Sequence, residues 1–369
     1  MDARERYLRH EMVEWFDQEY VRGLDVVVVG AGAVGNEVAK NLCLLGVGAL
    51  HLVDLDRVEP HNLPKAVLFR EADVGRGKAE VAAARCAELD PNVAVTHADG
   101  DFWDALDLER LRRAAAVVCC VDSIEARLRL SGLCQLAGVP LVNTAIDNRS
   151  VVVEHYPFRA ARACACYACT LPASAYARMR SRYSCGWLRK RAADERKVPT
   201  TIITSAFAGA FAAAELLQRL QLPGEAARRV FLDTRTLAMS EVRLASDPEC
   251  VACAARPARA VFVRAPRAAR LALGPAAAPG APAEVAFGEP IVLDAVCQAC
   301  GARAAVNEPA RRHDDSLAYC TDCRQHSRQV HIVERMALAD FLDRFGAVPV
   351  PGKYLRADLE DHAIIIELE

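Results

Sequence analysis

Residues 24–56, LDVVVVGAGAVGNEVAKNLCLLGVGALHLVDLD, read as a buried strand, a glycine-rich turn, a helix and a second strand. Val26 to Val29 form an uninterrupted β-branched run, the pattern of a strand covered by helices on both faces. Gly30, Gly32 and Gly35 follow at GxGxxG spacing. The first permits a tight turn, the second lets backbone N–H groups approach a phosphate, and the third lets the helix lie close on the sheet. The helix from Ala33 to Leu45 stops at Gly46, and its N-terminus offers unpaired N–H groups and a partial positive charge to an anion. Asp54 closes the next strand, LHLVD, where an acid accepts hydrogen bonds from ribose hydroxyls. These features predict nucleotide binding, and the motif by itself leaves NAD and ATP open.

Outward from this unit the chain alternates. Helix Lys78–Glu88 leads to a strand near Val93–Thr96, helix Leu106–Arg113 to the buried strand AAVVCCVD ending at Asp122, and helix Ser123–Gly138 to the strand PLVN. Such alternation predicts an α/β fold, a Rossmann-like, doubly wound, mostly parallel sheet with helices on both faces. Its ligand belongs beyond the carboxyl ends of the strands, where Gly30, Asp54 and Asp122 meet. Residues 4–23 read as an amphipathic helical lead-in with Phe16 and Tyr20 as core contacts. Beyond PLVN come a strand-like run SVVVEHYP, the cluster CACYAC, a basic stretch Ala173–Lys197, a small-residue helix Thr201–Leu220 and a hairpin FLDTRTLAMSEVRL. Between Ala254 and Ala283 the composition shifts to Ala, Pro and Arg, which marks a loose connection. The domain reading is therefore 1–255 for the nucleotide-binding part, 256–289 for the connection and 290–369 for a small cysteine-bearing C-terminal region.

A chain of 369 residues suffices for one large domain plus an appendage. The formal net charge of -2 gives no reason to expect a nucleic-acid or membrane partner. MDARERYLRHEM at the start is charged rather than apolar, and the most apolar helix, Ile203–Leu217, carries Glu215 and is too short to span a bilayer, so a cytoplasmic location is expected. Eight of the fifteen cysteines fall into four CxxC pairs, which in a reducing compartment points to metal rather than disulfides.

The residues outside the glycine turn carry a resemblance. RYLRH at 6–10, GAGAVGNEVAKNL at 30–42, VDLDRVEPHNLPK at 53–65, VGRGKAE around Lys78, CCVDSIEAR around Asp122, and CYAC with CVAC occur in one order over about residues 4 to 255. In these motifs the chain resembles the ubiquitin-activating-enzyme-like adenylyltransferases, especially the bacterial enzymes that activate sulfur-carrier proteins for thiamine and molybdopterin synthesis. The resemblance implies ATP rather than NAD, with a carboxylate of a ubiquitin-like protein attacking the α-phosphate. It implies that Asp54 holds the ribose, that Asp56, Asn62, Lys65 and Lys78 belong to the nucleotide site, that Asp122 binds Mg2+, and that Arg9 reaches the triphosphate of the partner subunit in a homodimer. Relatives carry Arg where this chain has Lys65, which keeps the charge and loses the bidentate geometry. Taken singly, Lys78 reads as a solvated lysine at a helix start, Arg9 as a surface charge and Asp122 as the cap of the next helix. An NAD-dependent oxidoreductase has no use for Arg9, Asn62, Lys78 and Asp122 together, and a catalytically weak binding scaffold is the third alternative.

Cys166 and Cys169 with Cys250 and Cys253 make two knuckles whose four thiolates suit a closed tetrahedral Zn2+, with Cys164 as a nearby competitor. Cys297, Cys300, Cys320 and Cys323 follow the C-x2-C-x19-C-x2-C spacing of a zinc ribbon. Both are structural sites, because four thiolates leave no position for a substrate. Cys185, in RYSCGWLRKR, lies among Arg180, Arg182, Arg189, Lys190 and Arg191, which favour a thiolate. It reads either as a nucleophile that captures the acyl group as a thioester or as an incidental loop cysteine. Conjugating enzymes, external sulfur donors and peptide substrates stay open as further partners, and the appended ribbon with the C-terminal strand is expected to recruit either the ubiquitin-like protein or a conjugating enzyme.

Overall fold

The computed structural model describes residues 3–160, 164–172, 200–222, 224, 226–254, 257, 259–268, 284–313, 315–359 and 362–369. They fall into two compact units that divide at residues 171/172, 196/197 and 256/257. The first contains α1 (Ala3–Tyr7), α2 (Gln18–Arg22), β1 (Asp25–Val29), α3 (Ala33–Leu44), β2 (Ala49–Asp54), α4 (Lys78–Leu89), β3 (Ala94–Asp99), α5 (Phe102–Ala105), α6 (Leu108–Arg113), β4 (Ala116–Cys119), α7 (Ile124–Ala137), β5 (Leu141–Ile146), β6 (Ser150–Tyr156), α8 (Ile202–Gln221), β7 (Arg228–Asp233), β8 (Met239–Arg243) and α9 (Val251–Ala254).

One eight-stranded sheet, ordered β3-β2-β1-β4-β5-β6-β7-β8, forms the middle of this unit. β1 to β5 run parallel and β6 to β8 extend the sheet antiparallel. The chain winds outward from β1 to β3 and then returns to place β4 on the other side of β1, so the winding reverses between β1 and β4. That reversal opens a crevice beyond their carboxyl ends. Alternation along β1 sends Val26 and Val28 into a core shared with α3, α4 and α8, while Val27 and Val29 are equally buried on the opposite face. Each such valine stabilises the unit by roughly 2 kcal/mol.

The lead-in departs from the single amphipathic helix expected over 4–23. Asp17 accepts a hydrogen bond from the Tyr20 N–H and starts a separate helix, α2. Tyr7, not Tyr20, is the buried aromatic; its hydroxyl donates to Asp90, whereas Tyr20 stays exposed and donates to the Leu220 carbonyl.

The second unit is a folded body rather than a ribbon on a tether. β9 (Ala260–Ala265), β10 (Glu284–Cys297), β11 (Arg303–Pro309), β14 (Arg328–Ala337), β15 (Tyr354–Asp358) and β16 (Ala363–Leu368) make a six-stranded sheet, with the short hairpin of β12 (Tyr319–Cys320) and β13 (Gln325–His326) beside it. α10 (Leu338–Phe345) buries Phe341 and Phe345 against Val285, Phe287, Leu355 and Ile366. β9 falls inside the stretch expected to be a loose connection, because it pairs in parallel with the last strand, β16.

Candidate functional site

The glycine turn meets the geometric demands of its spacing. Gly30 sits at φ +93°, donates its N–H to the Val53 carbonyl at 2.8 Å, and leaves no room for a side chain, since a Cβ there would lie 2.8 Å from the Cys120 backbone. A Cβ on Gly35 would stand 1.8 Å from the Gly30 carbonyl oxygen, so this glycine lets α3 close on the turn. At Gly32, the N-terminal cap of α3, a Cβ would meet nothing within 4 Å. That open space over the helix N-terminus is where a phosphate fits.

Two side chains shape the turn from below. Asn36, fully buried, donates through Nδ2 to the Ala31 and Gly32 carbonyls at 2.6 and 3.1 Å and accepts from the Leu68 N–H at 2.9 Å. With those carbonyls held inward, the planar trans peptides turn the following N–H groups the other way. Asp54 accepts from the Ala31 N–H at 2.6 Å and the Asp56 N–H at 2.8 Å, fastening the turn to the loop after β2. Burial raises the Asp54 pKa, while the two N–H donors and Lys78 pull it down.

The loop and α4 are latched at two points. The Lys78 N–H donates to the Asp56 carbonyl at 2.9 Å, and Lys78 Nζ meets Asp56 Oδ2 at 2.8 Å. Lys78 is therefore a mostly buried cation paired to an exposed carboxylate, not a solvated one. Asn62, also buried, accepts from the Glu59 N–H at 2.9 Å and shapes the 3-10 turn Pro60–Lys65 that ends at Lys65. Asp122 is exposed just past β4. It does not cap the following helix: Ser123 does, accepting from the Ala126 N–H at 3.1 Å. Arg9 lies exposed on the turn after α1, and among the described residues no hydrogen bond or ion pair joins it to these groups. Cys185 lies outside the described residues.

The eight CxxC cysteines assemble into two tetrads, each with its four sulfurs within 4.8 Å of one another. In the first, Cys166 lies 3.8 Å from both Cys169 and Cys250 and 3.4 Å from Cys253, and Cys169 to Cys253 is 3.5 Å. In the second, Cys297 to Cys323 is 3.5 Å and Cys300 to Cys320 is 3.7 Å. A tetrahedral ion with Zn–S bonds of about 2.3 Å places its sulfurs about 3.8 Å apart, so both tetrads fit Zn2+. Supporting groups complete them: Gln135 Nε2 stands 3.6 Å from Cys253 Sγ, and Ser327 Oγ 3.0 Å from Cys297 Sγ.

A doubly wound sheet with an anion-binding glycine turn at its switch point and a tetrathiolate staple in the same unit defines a nucleotide-binding α/β protein of the adenylation type. The chain belongs to the ThiF family, whose sequence model matches residues 6–252. It is 38% identical over 157 residues to the sulfur carrier protein adenylyltransferase of Thermus thermophilus, covering 42% of this chain and 58% of that one. With the maize adenylyltransferase and sulfurtransferase MOCS3-1 it shares 33% identity over 173 residues, covering 45% of this chain and 36% of that one. The SAMP-activating enzyme E1 of Haloferax volcanii is 29% identical over 264 residues, covering 68% and 88%. The chain thus spans less than two thirds of the maize and Thermus relatives. E. coli MccB crystallised with ATP has the same fold, with a TM-score of 0.53 and 22% identity over 67% of this chain and 74% of that one.

Proposed function

We propose that this chain adenylates the C-terminal glycine of a ubiquitin-like protein. The observation that carries the reading is the meeting, at the carboxyl ends of β1, β2 and β4, of an open glycine turn, Asp54 with the Asp56–Lys78 pair, and an exposed Asp122. The substrate carboxylate oxygen attacks the α-phosphorus of ATP, the bond to the bridging oxygen breaks, and pyrophosphate leaves. Asp54 holds the ribose; the α3 N-terminus, Asn62, Lys65 and Lys78 receive the phosphates and stabilise charge that grows on the leaving group. Asp122 holds Mg2+, which neutralises phosphate charge when bound. Arg9 serves the partner subunit's site in a homodimer. Cys185 then attacks the acyl carbon, forming a thioester and releasing AMP, and the C-terminal unit recruits the acceptor. The structural zinc ions occupy the two tetrads, and the protein works in the cytoplasm.

ATP–pyrophosphate exchange with ubiquitin-like proteins ending in glycine tests this. Exchange that needs Asp122 but not Cys185, with a reductant-sensitive adduct that is lost in Cys185→Ala although exchange persists there, is the expected result. Binding of the ubiquitin-like protein without exchange would leave a scaffold instead. A sulfur carrier is the nearest second substrate, favoured by the name of the Thermus relative; it predicts thiocarboxylate formation in place of a stable protein conjugate.

A further inference from the structure

We infer that Arg127 is the positioning residue for Asp122, an assignment that rests on the adenylation reading above. Arg127 stands one turn into α7 and is 7% exposed. Its Nη1 donates to Asn143 Oδ1 at 2.5 Å and to the Thr144 carbonyl at 2.8 Å, and its Nη2 donates to the carbonyl of Val121, the residue before Asp122. Asn143 passes the connection on, donating through Nδ2 to Glu154 Oε2 at 2.5 Å, and Glu154 Oε1 accepts from Arg229 Nε at 2.6 Å. Asn143, Glu154 and Arg229 face each other directly across β5, β6 and β7. The result is a line of satisfied polar groups from the outer antiparallel strands to the loop after β4.

The consequence for Asp122 follows from its neighbours. On one side the Val121 carbonyl is drawn inward by Arg127, so the planar trans peptide sends the Asp122 N–H away from the interior. On the other side Ser123 is fixed by its bond from the Ala126 N–H, and its carbonyl accepts from the Arg127 N–H at 3.1 Å. Asp122 is thus an exposed carboxylate on a peptide held at both ends, which lowers what must be ordered when it takes a cation. A buried ionic chain adds little net stability over apolar residues of equal volume. What this one adds is a single arrangement of the strand ends. Only a guanidinium can do so here, because its planar fork reaches acceptors on two segments at fixed angles; an ammonium offers its donors from one point.

The test is the ratio of ATP affinity with and without Mg2+, measured by calorimetry on the full, zinc-loaded chain. Wild type should prefer MgATP, and Asp122→Asn should abolish the preference. Arg127→Lys should reduce the ratio about tenfold, the usual scale for a group that orients a metal ligand. Added to Asp122→Asn, Arg127→Lys should change the ratio no further, because it acts through that carboxylate. A folded Arg127→Lys with the wild-type ratio overturns the assignment, as does a further tenfold loss when Arg127→Lys is combined with Asp122→Asn. If Arg127→Lys does not fold, Asn143→Ser, which leaves the guanidinium but removes its orienting partner, must lower the ratio, and an unchanged ratio overturns the assignment. A wild-type chain whose MgATP preference does not depend on Asp122 removes the parent reading, and this one with it.

Discussion

Gly32 and Gly35 are three residues apart and face different physical demands, which makes them a test of the glycine turn. A methyl group on Gly35 would run into the Gly30 carbonyl at 1.8 Å, whereas one on Gly32 enters open space at φ -73°, a conformation any residue adopts. Gly35→Ala should cost roughly 3 kcal/mol or more through overpacking, read as a lowered melting temperature. Gly32→Ala should leave melting unchanged within about 0.5 kcal/mol and weaken ATP binding at least tenfold, because the methyl takes the phosphate's space. Unchanged ATP affinity in Gly32→Ala would move the phosphate elsewhere. Ser123 and Asp122 make a second pair. Ser123→Ala should cost about 1 kcal/mol of stability as a lost helix cap. Asp122→Ala should leave stability nearly intact and abolish nucleotide-dependent activity. At this scale the sequence was readable where local geometry depends on near neighbours, as for the turn at the three glycines, the place of Asp54 at the end of β2 and the CxxC pairs. It was silent on Asn36, Arg127 and Gln135, whose partners Leu68, Asn143 and Cys253 come from other segments of the chain.

Among the elements, the junction of β6 with α8 and β7 carries a pH response. His155 on β6 is 3% exposed, and among the described residues its Nδ1 has no hydrogen-bond partner. Burial pushes its pKa down to about 4; Glu215 on α8 opposes that fall, and Arg219 and Arg228 add to it. In the unfolded chain an ordinary histidine takes up its proton near pH 6.5. As pH falls from about 6.5 to 4 the unfolded state therefore binds a proton that the folded state refuses, and stability declines through that window by about 3 kcal/mol at its lower end. His155→Gln should flatten that part of a stability–pH curve measured by urea melting, and a variant curve parallel to wild type would assign the acid loss to other groups. The neighbouring ion pair of Glu215 with Arg228 acts lower, since burial raises the Glu215 pKa but the Arg228 hydrogen bond and charge overcome it and hold it below its ordinary value. The periodic elements α3, α4, α7 and α8 and the central strands were legible from their patterns. β9 was not, because its pairing partner β16 lies at the other end of the unit and its own composition, AVFVRA, sits among Ala, Pro and Arg.

For the whole chain, with zinc bound as proposed, the two tetrads would divide the labour of holding each unit together internally. The first joins segments 84 residues apart, Cys166 to Cys250, and the second closes a span of 26, Cys297 to Cys323. Loop-closure entropy makes the first cross-link worth about 1 kcal/mol more than the second. Its loss also reaches further, because Gln135 connects Cys253 to α7, the helix that carries Arg127 and the cap of the Asp122 loop. Truncation to probe the C-terminal unit must respect its sheet. A cut at residue 290 divides β10 and takes β16 from β9, while removal of 257–369 takes every described strand from β9 to β16 and, on the proposed function, weakens transfer while sparing adenylation. Point variants separate the metals more finely. Wild type should contain two zinc ions per chain by elemental analysis, and Cys253→Ser and Cys320→Ser one each. Cys253→Ser should lower the melting temperature of the nucleotide-binding unit and weaken MgATP binding through α7, whereas Cys320→Ser should leave MgATP binding at the wild-type value and loosen only the second unit. Equal losses of MgATP affinity in both variants would show that the second tetrad acts on the nucleotide site as well, and the ribbon would then have to be treated as part of the adenylation machinery rather than as a separate recruiting surface.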